Sequence, residues 1–441
     1  MIANVSPLLA DLGRREAEGR PITIGVVGAG QMGTDLAVQV GRIPGMRLGG
    51  IAVRNIDNAI AMAVSVGHRR DRISIARNAA AIDAAIERGA LAITDDIDAL
   101  TAAGRIDVML DATGNPNTGT AIALSAIQNG KHMVMMNVEA DITIGRYLHA
   151  AARSAGVIYT GAAGDEPAAA IELIGFAQSL ALDIVCAGKG KNNPLKFDAV
   201  PADYEEEARA RNMNPRMLVE FVDGSKTMVE MVAIANATGL IPDRPGMHGP
   251  AAARETLAET LIPKRDGGVL AGKGRVDYST GKGVAPGVFC VVESDNPRVV
   301  ERMADLKVGK GPYFCLFRPF HLTSLEAPLS AARAALYRLP DMVPLDRPVA
   351  EATTLAKRDL AAGEVLGKIG ETQYRAWAMT HPEAQAAGAI PLGLAEGARV
   401  IKPIRSGEAL TYDNCAPDQT LLVTQIRHKL DQSDAVLMAA E

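Results

Sequence analysis

Six consecutive residues, Gly28-Ala29-Gly30-Gln31-Met32-Gly33, carry the spacing G-x-G-x-x-G. Gly28 permits a tight backbone turn, Gly30 lets main-chain amides approach an anion, and Gly33 lets the following helix pack against the preceding strand. The chemistry would be a diphosphate held at the partially positive start of a helix. A second group is Gly188-Lys189-Gly190-Lys191-Asn192-Asn193-Pro194. Its two ammonium groups and two carboxamides, spaced by glycines, suit an anionic substrate, and they equally suit an exposed basic loop. A third, Asp223-Gly224-Ser225-Lys226-Thr227, opens a helix carrying Glu230 and Asn236. Ser225, Lys226 and Thr227 could face a substrate from a positive helix end. Alternatively, Ser225 or Asp223 caps the helix and Lys226 pairs with Glu230 on its exposed face. A fourth, Gly164-Asp165-Glu166-Pro167, sets two acids side by side. They could work as acid and base, polarise hydroxyls, bind Mg²⁺ or Mn²⁺, or simply complement a helix start. Glu139 and Asp141, ending the stretch 131–141, are read as acids at another strand end with the same options.

These groups need elements to hold them. The apolar run Ile22–Val27 reads as a buried strand, and a helix is expected from about Met32 to Val40 with a second strand over 46–53, a βαβ unit. That context is what the glycine spacing requires. The second strand ends Ala52-Val53-Arg54-Asn55, with no acid before Asp57. A ribose 2′-hydroxyl calls for a carboxylate there, whereas a 2′-phosphate calls for arginine, so the choice is NADPH. Further strands are expected at 91–94, 106–114 and 131–141, with helices at about 117–128 and 144–155. The segment Asp111–Pro116 ends one of these strands and is placed beside the nicotinamide ribose. The cofactor candidates are therefore Gly28, Gly30, Gln31, Met32, Gly33, Arg54, Thr113 and Gly114. The catalytic candidates are Lys189, Lys191, Asn192, Asn193, Lys226, Asp165 and Glu166, the last two also as metal ligands.

Alternating strands and helices argue for an α/β fold, a Rossmann doubly wound parallel sheet over 1–165. Residues 166–340 read as a central α+β substrate and dimerisation domain. The proline-rich stretch 339–351 reads as a linker, and 350–441 as a small β-rich domain.

Composition removes other classes. The formal net charge is −5 and aromatic residues are 4% of the chain, so neither a basic surface nor a stacking platform for nucleic acid is present. Cys186, Cys290, Cys315 and Cys415 have no zinc spacing. G-x-S-x-G and H-E-x-x-H do not occur. Gly267–Lys273 spells G-x-x-x-x-G-K, but Gly274 stands where a hydroxyl is needed, so a flexible loop is expected. Thr323 and Glu326 match a capping box. His248 and His321 stand alone and are not expected to be metal ligands. The start of the chain does not read as a secretory signal and no apolar run spans a bilayer, so a cytoplasmic enzyme without membrane or nucleic-acid partners is expected.

Together GVVGAGQMGTDL, DATGNP, MVMMNVEADITIG, GDEPAAAIELI, GKGKNNPL, the stretch RNMNPRMLVEFVDGSKTMVEMVAIANATGL, and KGPYF with HLTSLE resemble 1-deoxy-D-xylulose 5-phosphate reductoisomerase-like proteins, a family similar in fold to homoserine dehydrogenases. The tail resembles an SAF domain. The resemblance implies a homodimer that converts 1-deoxy-D-xylulose 5-phosphate to 2-C-methyl-D-erythritol 4-phosphate with NADPH, in isoprenoid precursor synthesis. It implies a small phosphorylated sugar substrate held by Lys189, Lys191, Asn192 and Asn193, with Lys226 near the reacting oxygens. Two other functions stay open. One is a dehydrogenase for homoserine, a sugar acid or a polyol phosphate, acting without rearrangement. The other is a non-catalytic sensor of NADPH and sugar.

Overall fold

A computed structural model describes residues 5–211 and 213–440. These form two compact units. The first runs to Asp165 and takes in Leu322–Val343; the second holds Glu166–His321 and the chain from Pro344 onward.

The first unit contains α1 (Pro7–Ala17), β1 (Ile22–Val27), α2 (Gln31–Val40), β2 (Met46–Ala52), α3 (Ile56–Ser65), β3 (Ile73–Ile75), α4 (Ala79–Glu87), β4 (Leu91–Thr94), α5 (Ile97–Ala102), β5 (Val108–Asp111), α6 (Pro116–Gln128), β6 (His132–Met135), α7 (Val138–Ala155) and β7 (Tyr159–Gly161). Among the described residues, seven parallel strands pair in the order β3-β4-β2-β1-β5-β6-β7. β1 is buried at every position, as a central strand covered by helices on both faces must be, which is why it reads as an unbroken apolar run. The order reverses between β2-β1 and β1-β5. The carboxyl ends of β1 and β5 thus flank the switch point where such sheets bind ligands.

The second unit contains α8 (Glu166–Ser179), β8 (Asp183–Gly190), α9 (Glu205–Ala210), α10 (Pro215–Val222), α11 (Ser225–Thr238), β9 (Ile241–Pro242), α12 (Leu257–Thr260), β10 (Arg275–Ser279), β11 (Val288–Glu293), α13 (Pro297–Asp305) and β12 (Tyr313–Arg318). The strands pair in the order β12-β11-β8-β10-β9, with β8 antiparallel to β11 and parallel to β10. The chain then returns to the first unit as α14 (Ala327–Tyr337). Ala327, Ala331 and Ala332 of α14 are sealed in one apolar cluster with Val108, Leu110 and Val134. This burial places 322–343 with the dinucleotide-type sheet, whereas the sequence reading put them in a central domain ending at 340.

Beyond α14 come β13 (Ala350–Ala356), β14 (Tyr374–Thr380), α15 (His381–Ala386), β15 (Arg399–Val400), β16 (Cys415–Ala416) and α16 (Leu422–Ala440). The tail is not only strands: α16 is a long helix tied down by buried Arg427, whose Nη2 donates to Glu351 at 2.6 Å and Nε to Asp431 at 2.7 Å. The tail packs within the second unit, its strands β13 and β14 against α11. With α8 and β10 also on it, α11 is buried from Thr227 to Asn236 without an exposed stripe. Another departure is at 131–141, expected as one strand. β6 stops at Met135, and Asn137 caps α7 by accepting from the Ala140 amide at 3.1 Å. Glu139 and Asp141 therefore lie in the first turn of a helix rather than at a strand end.

Candidate functional site

In the first unit, β1 delivers the chain to Gly28 at φ +111°, a conformation strained for any side chain; a Cβ there would lie 2.9 Å from the Ala112 carbonyl oxygen. A Cβ on Gly33 would fall 2.2 Å from the Gly28 carbonyl oxygen, so strand and helix meet at glycine distance. Gly30 is different. A Cβ there has nothing within 4 Å, and Gly30 caps α2 without a side-chain acceptor for the helix amides. Open space in front of uncapped amides is what a diphosphate needs, so these residues fit a dinucleotide. Gln31 and Met32 are exposed on the same first turn, and Arg54 is exposed just past β2. Asp57, the first acid after it, sits in the first turn of α3. At the end of β5 the Thr113 amide donates to Asp111 at 2.9 Å, and Gly114 is exposed. Asp111 is fully buried. Burial pushes its carboxyl up to about 6 against the pull of hydrogen bonds from Thr113 and Asn137.

In the second unit the lysines are not on an exposed loop. Lys189 lies inside β8, the middle strand, and Lys191 just beyond it; they are 8% and 6% exposed, which removes the solvated-loop alternative. Lys189 Nζ donates to Glu166 at 2.6 Å and to Glu230 on α11. Burial opposes its charge, but the two carboxylates outweigh that and hold its proton affinity above the ordinary lysine range. The alternative that set Glu230 on an exposed helix face does not hold: Glu230 is buried and pairs with Lys189, and Lys226 is half-buried. His321 Nε2 stands 3.3 Å from the same Glu166. Sequence reasoning passed over His321 because nothing within its neighbourhood in sequence marks it.

Lys191 is the counterpart. Its ammonium donates to the Phe221 carbonyl, and burial together with the nearby Lys189 charge brings it down to about 8. One lysine is thus locked in its charged form while its neighbour exchanges a proton near neutral pH, the pattern expected of a general acid and base. Asn192 is exposed and Asn193 half-buried beside them.

Two carboxylates, Glu166 and Glu230, share the one Lys189 ammonium. That disfavours Lys189 as a phosphate anchor. Carboxylate oxygens of Glu166 and Glu230 lie within 4.8 Å of each other, close enough to share a metal ion, and no step is assigned to a metal. Asp165 closes the first unit, its amide 3.4 Å from the Ala162 carbonyl.

The tail braces the floor of this cluster. Lys357, at the end of β13, forms a sealed ion pair with Asp223 at 2.6 Å and donates to the Ala199 and Glu371 carbonyls. Asp223 accepts from the Ser225 amide at 2.8 Å, and Ser225 Oγ accepts from the Ala376 amide at 2.9 Å. Asn236 accepts from the Val349 and Ala350 amides. Ser225 and Asn236 are thus committed to holding the tail. Thr323 and Glu326 do not form the expected capping box; Glu326 instead accepts from the Leu322 amide.

Residues 164–327 match the family described as Oxidoreductase DRL, catalytic domain, and residues 28–160 match Homoserine dehydrogenase, NAD binding domain. The chain is a nicotinamide-dependent oxidoreductase. The first match begins at the Gly164 turn and takes in Lys189, Lys191, Glu230 and His321; the second begins at Gly28. No curated protein matches the oxidoreductase. Among solved structures it is similar to a homoserine dehydrogenase from Thiobacillus denitrificans (17% identity, 88% of this chain and 98% of that one, TM-score 0.43). It is also similar to a probable dehydrogenase from Thermotoga maritima (14%, 72% and 90%, 0.42) and a scyllo-inositol dehydrogenase from Lactobacillus casei (15%, 68% and 76%, 0.37). No helix among the described residues is long and apolar enough to cross a membrane.

Proposed function

We propose that this oxidoreductase interconverts a carbonyl and an alcohol on a small oxygenated substrate with NADPH, Lys191 exchanging the proton at the substrate oxygen and no carbon migration taking place. The observation that carries the reading is the buried lysine pair: Lys189 fixed as an ammonium by Glu166 and Glu230, and Lys191 brought down to about 8. When bound, the nicotinamide gives or takes the hydride. In reduction the carbonyl oxygen gains negative charge as the hydride arrives, and the Lys191 ammonium supplies the proton that makes the hydroxyl. In oxidation the Lys191 amine takes that proton back. The Phe221 carbonyl aims the Lys191 nitrogen, and Lys189 supplies fixed positive charge beside it. Glu166 and Glu230 orient substrate hydroxyls by accepting from them.

NADPH is favoured over NADH because Arg54 follows β2 where an NAD site would carry an acid. A homodimer of this chain is part of the same proposal, through the family resemblance.

A second reading keeps support from the motifs that resemble reductoisomerase-like proteins: reduction preceded by rearrangement of 1-deoxy-D-xylulose 5-phosphate. Both are tested by incubating the full chain with NADPH and 1-deoxy-D-xylulose 5-phosphate, and separately with NADP⁺ and homoserine, sugar acids or polyol phosphates, following the products by carbon NMR. Unbranched products support the dehydrogenase. A branched skeleton from the first substrate replaces it with the reductoisomerase, and no turnover across the panel leaves a sensor.

A further inference from the structure

Lys189 is shared between two carboxylates, so an anionic substrate is better served by a cation that is not so engaged. Among the described residues of the second unit, two buried cations have no carboxylate partner: Lys191, which donates to the Phe221 carbonyl, and Arg375. Arg375 lies on β14, next to Ala376, and is 9% exposed. Its guanidinium carbon sits 4.2 Å from the ring centre of Phe197 and 4.5 Å from that of Trp377. Of its five N–H donors, one makes a long 3.5 Å bond to the Ala376 carbonyl. Among the described residues no carboxylate pairs with it. Asp223, the acid whose charge acts on it, is already taken by Lys357 and the Ser225 amide. Buried guanidinium groups are normally paired, and their planar fork matches a carboxylate or phosphate at two points.

Its neighbours tie it to the lysine cluster. Tyr278, which feels the Arg375 charge, pairs across the sheet with Lys189. Phe197 lies six residues after Lys191, on the chain that continues from it. Asp223 acts on both Arg375 and Lys191.

We propose that Arg375, contributed by the tail, binds the anionic group of the substrate, a phosphate ester or a carboxylate, from a seat between Phe197 and Trp377. The proposal rests on the dehydrogenase reading only in taking that anion to belong to the substrate. It gives the tail a part in recognition and moves the anion site away from Lys189.

Trp377 is the only tryptophan in the sequence, so its fluorescence reports directly on Arg375. The full chain is titrated with inorganic phosphate and, separately, with acetate, at constant ionic strength set by chloride. A saturable change in emission is expected: with phosphate if the group is a phosphate ester, with acetate if it is a carboxylate. Arg375→Lys keeps a cation over the rings but loses the fork, so the midpoint should rise about tenfold or more, with circular dichroism unchanged. No saturable change with either anion, or an unchanged midpoint in Arg375→Lys, overturns the proposal. A wild-type chain that oxidises NADPH with a carbonyl substrate yet shows no anion effect at Trp377 sinks this proposal and leaves the dehydrogenase reading standing.

Discussion

The two units prepare for their ligands in opposite ways. The first uses backbone: a six-residue turn whose glycines leave amides and open space, with one exposed arginine past the next strand. The second uses side chains brought from positions 166, 189, 191, 230 and 321, buried or half-buried. A backbone cradle tolerates an empty state at little cost, because water can serve its amides. A buried charge cluster must satisfy itself before any substrate arrives, and it does so through Lys189 with two carboxylates. The difference implies that substitutions in the second unit will act on stability and chemistry together, while those in the first act on binding.

The largest effect should follow from breaking the second unit's balance. Lys189→Met leaves Glu166 and Glu230 buried without their counter-charge, and should cost about 3–5 kcal/mol in urea unfolding. Adding Glu230→Leu should recover part of that loss, a coupling that a double-mutant cycle reads directly. A single-variant loss under about 1 kcal/mol, the level of solvated surface pairs, would mean the cluster is hydrated.

Next comes proton transfer. Lys191→Met should lower turnover by about 100- to 1,000-fold, the usual contribution of a positioned acid or base. In the wild type, carbonyl reduction needs the ammonium, so kcat should hold below about pH 8 and fall above it. Alcohol oxidation needs the amine and should rise through the same pH. The variant should lose both slopes. An unaltered profile in Lys191→Met would assign the proton to another group.

The first unit should respond in binding. Gly33→Ala places a Cβ 2.2 Å from the Gly28 carbonyl oxygen, and moving strand and helix apart should raise KM for NADPH on the order of 100-fold. The smallest effect is in cofactor choice: Arg54→Asp should reduce the preference for NADPH over NADH by about tenfold, one charge-assisted contact, as read from the two kcat/KM values.

The same contrast decides what the sequence made legible. The glycine turn, β1, the start of α2 and Arg54 lie within 33 residues, so spacing and apolar runs were enough. Lys189 and Lys191 were visible as residues, but their burial was not, since a lysine between glycines reads as a loop until the strand pairing on both sides is known. One alternative set Glu230 on an exposed helix face, which pattern alone allowed, whereas α8, β10 and the tail strands cover α11. His321 and Arg375 carried no local signal at all; only the packing of distant segments brings His321 to Glu166 and Arg375 to Phe197. α16 and the return of α14 to the first sheet were missed for the same reason. A helix of small residues can serve either core, and pattern alone does not choose.

The central claim is that the opening turn grips a dinucleotide, and Gly30 offers its most direct test. A Cβ there meets nothing within 4 Å, so Gly30→Val should fold as the wild type does while filling the space the diphosphate needs. Calorimetric titration should show the full chain taking up NADPH and the valine variant taking up none. Equal uptake by the two proteins, or no uptake by the wild type, would contradict the account.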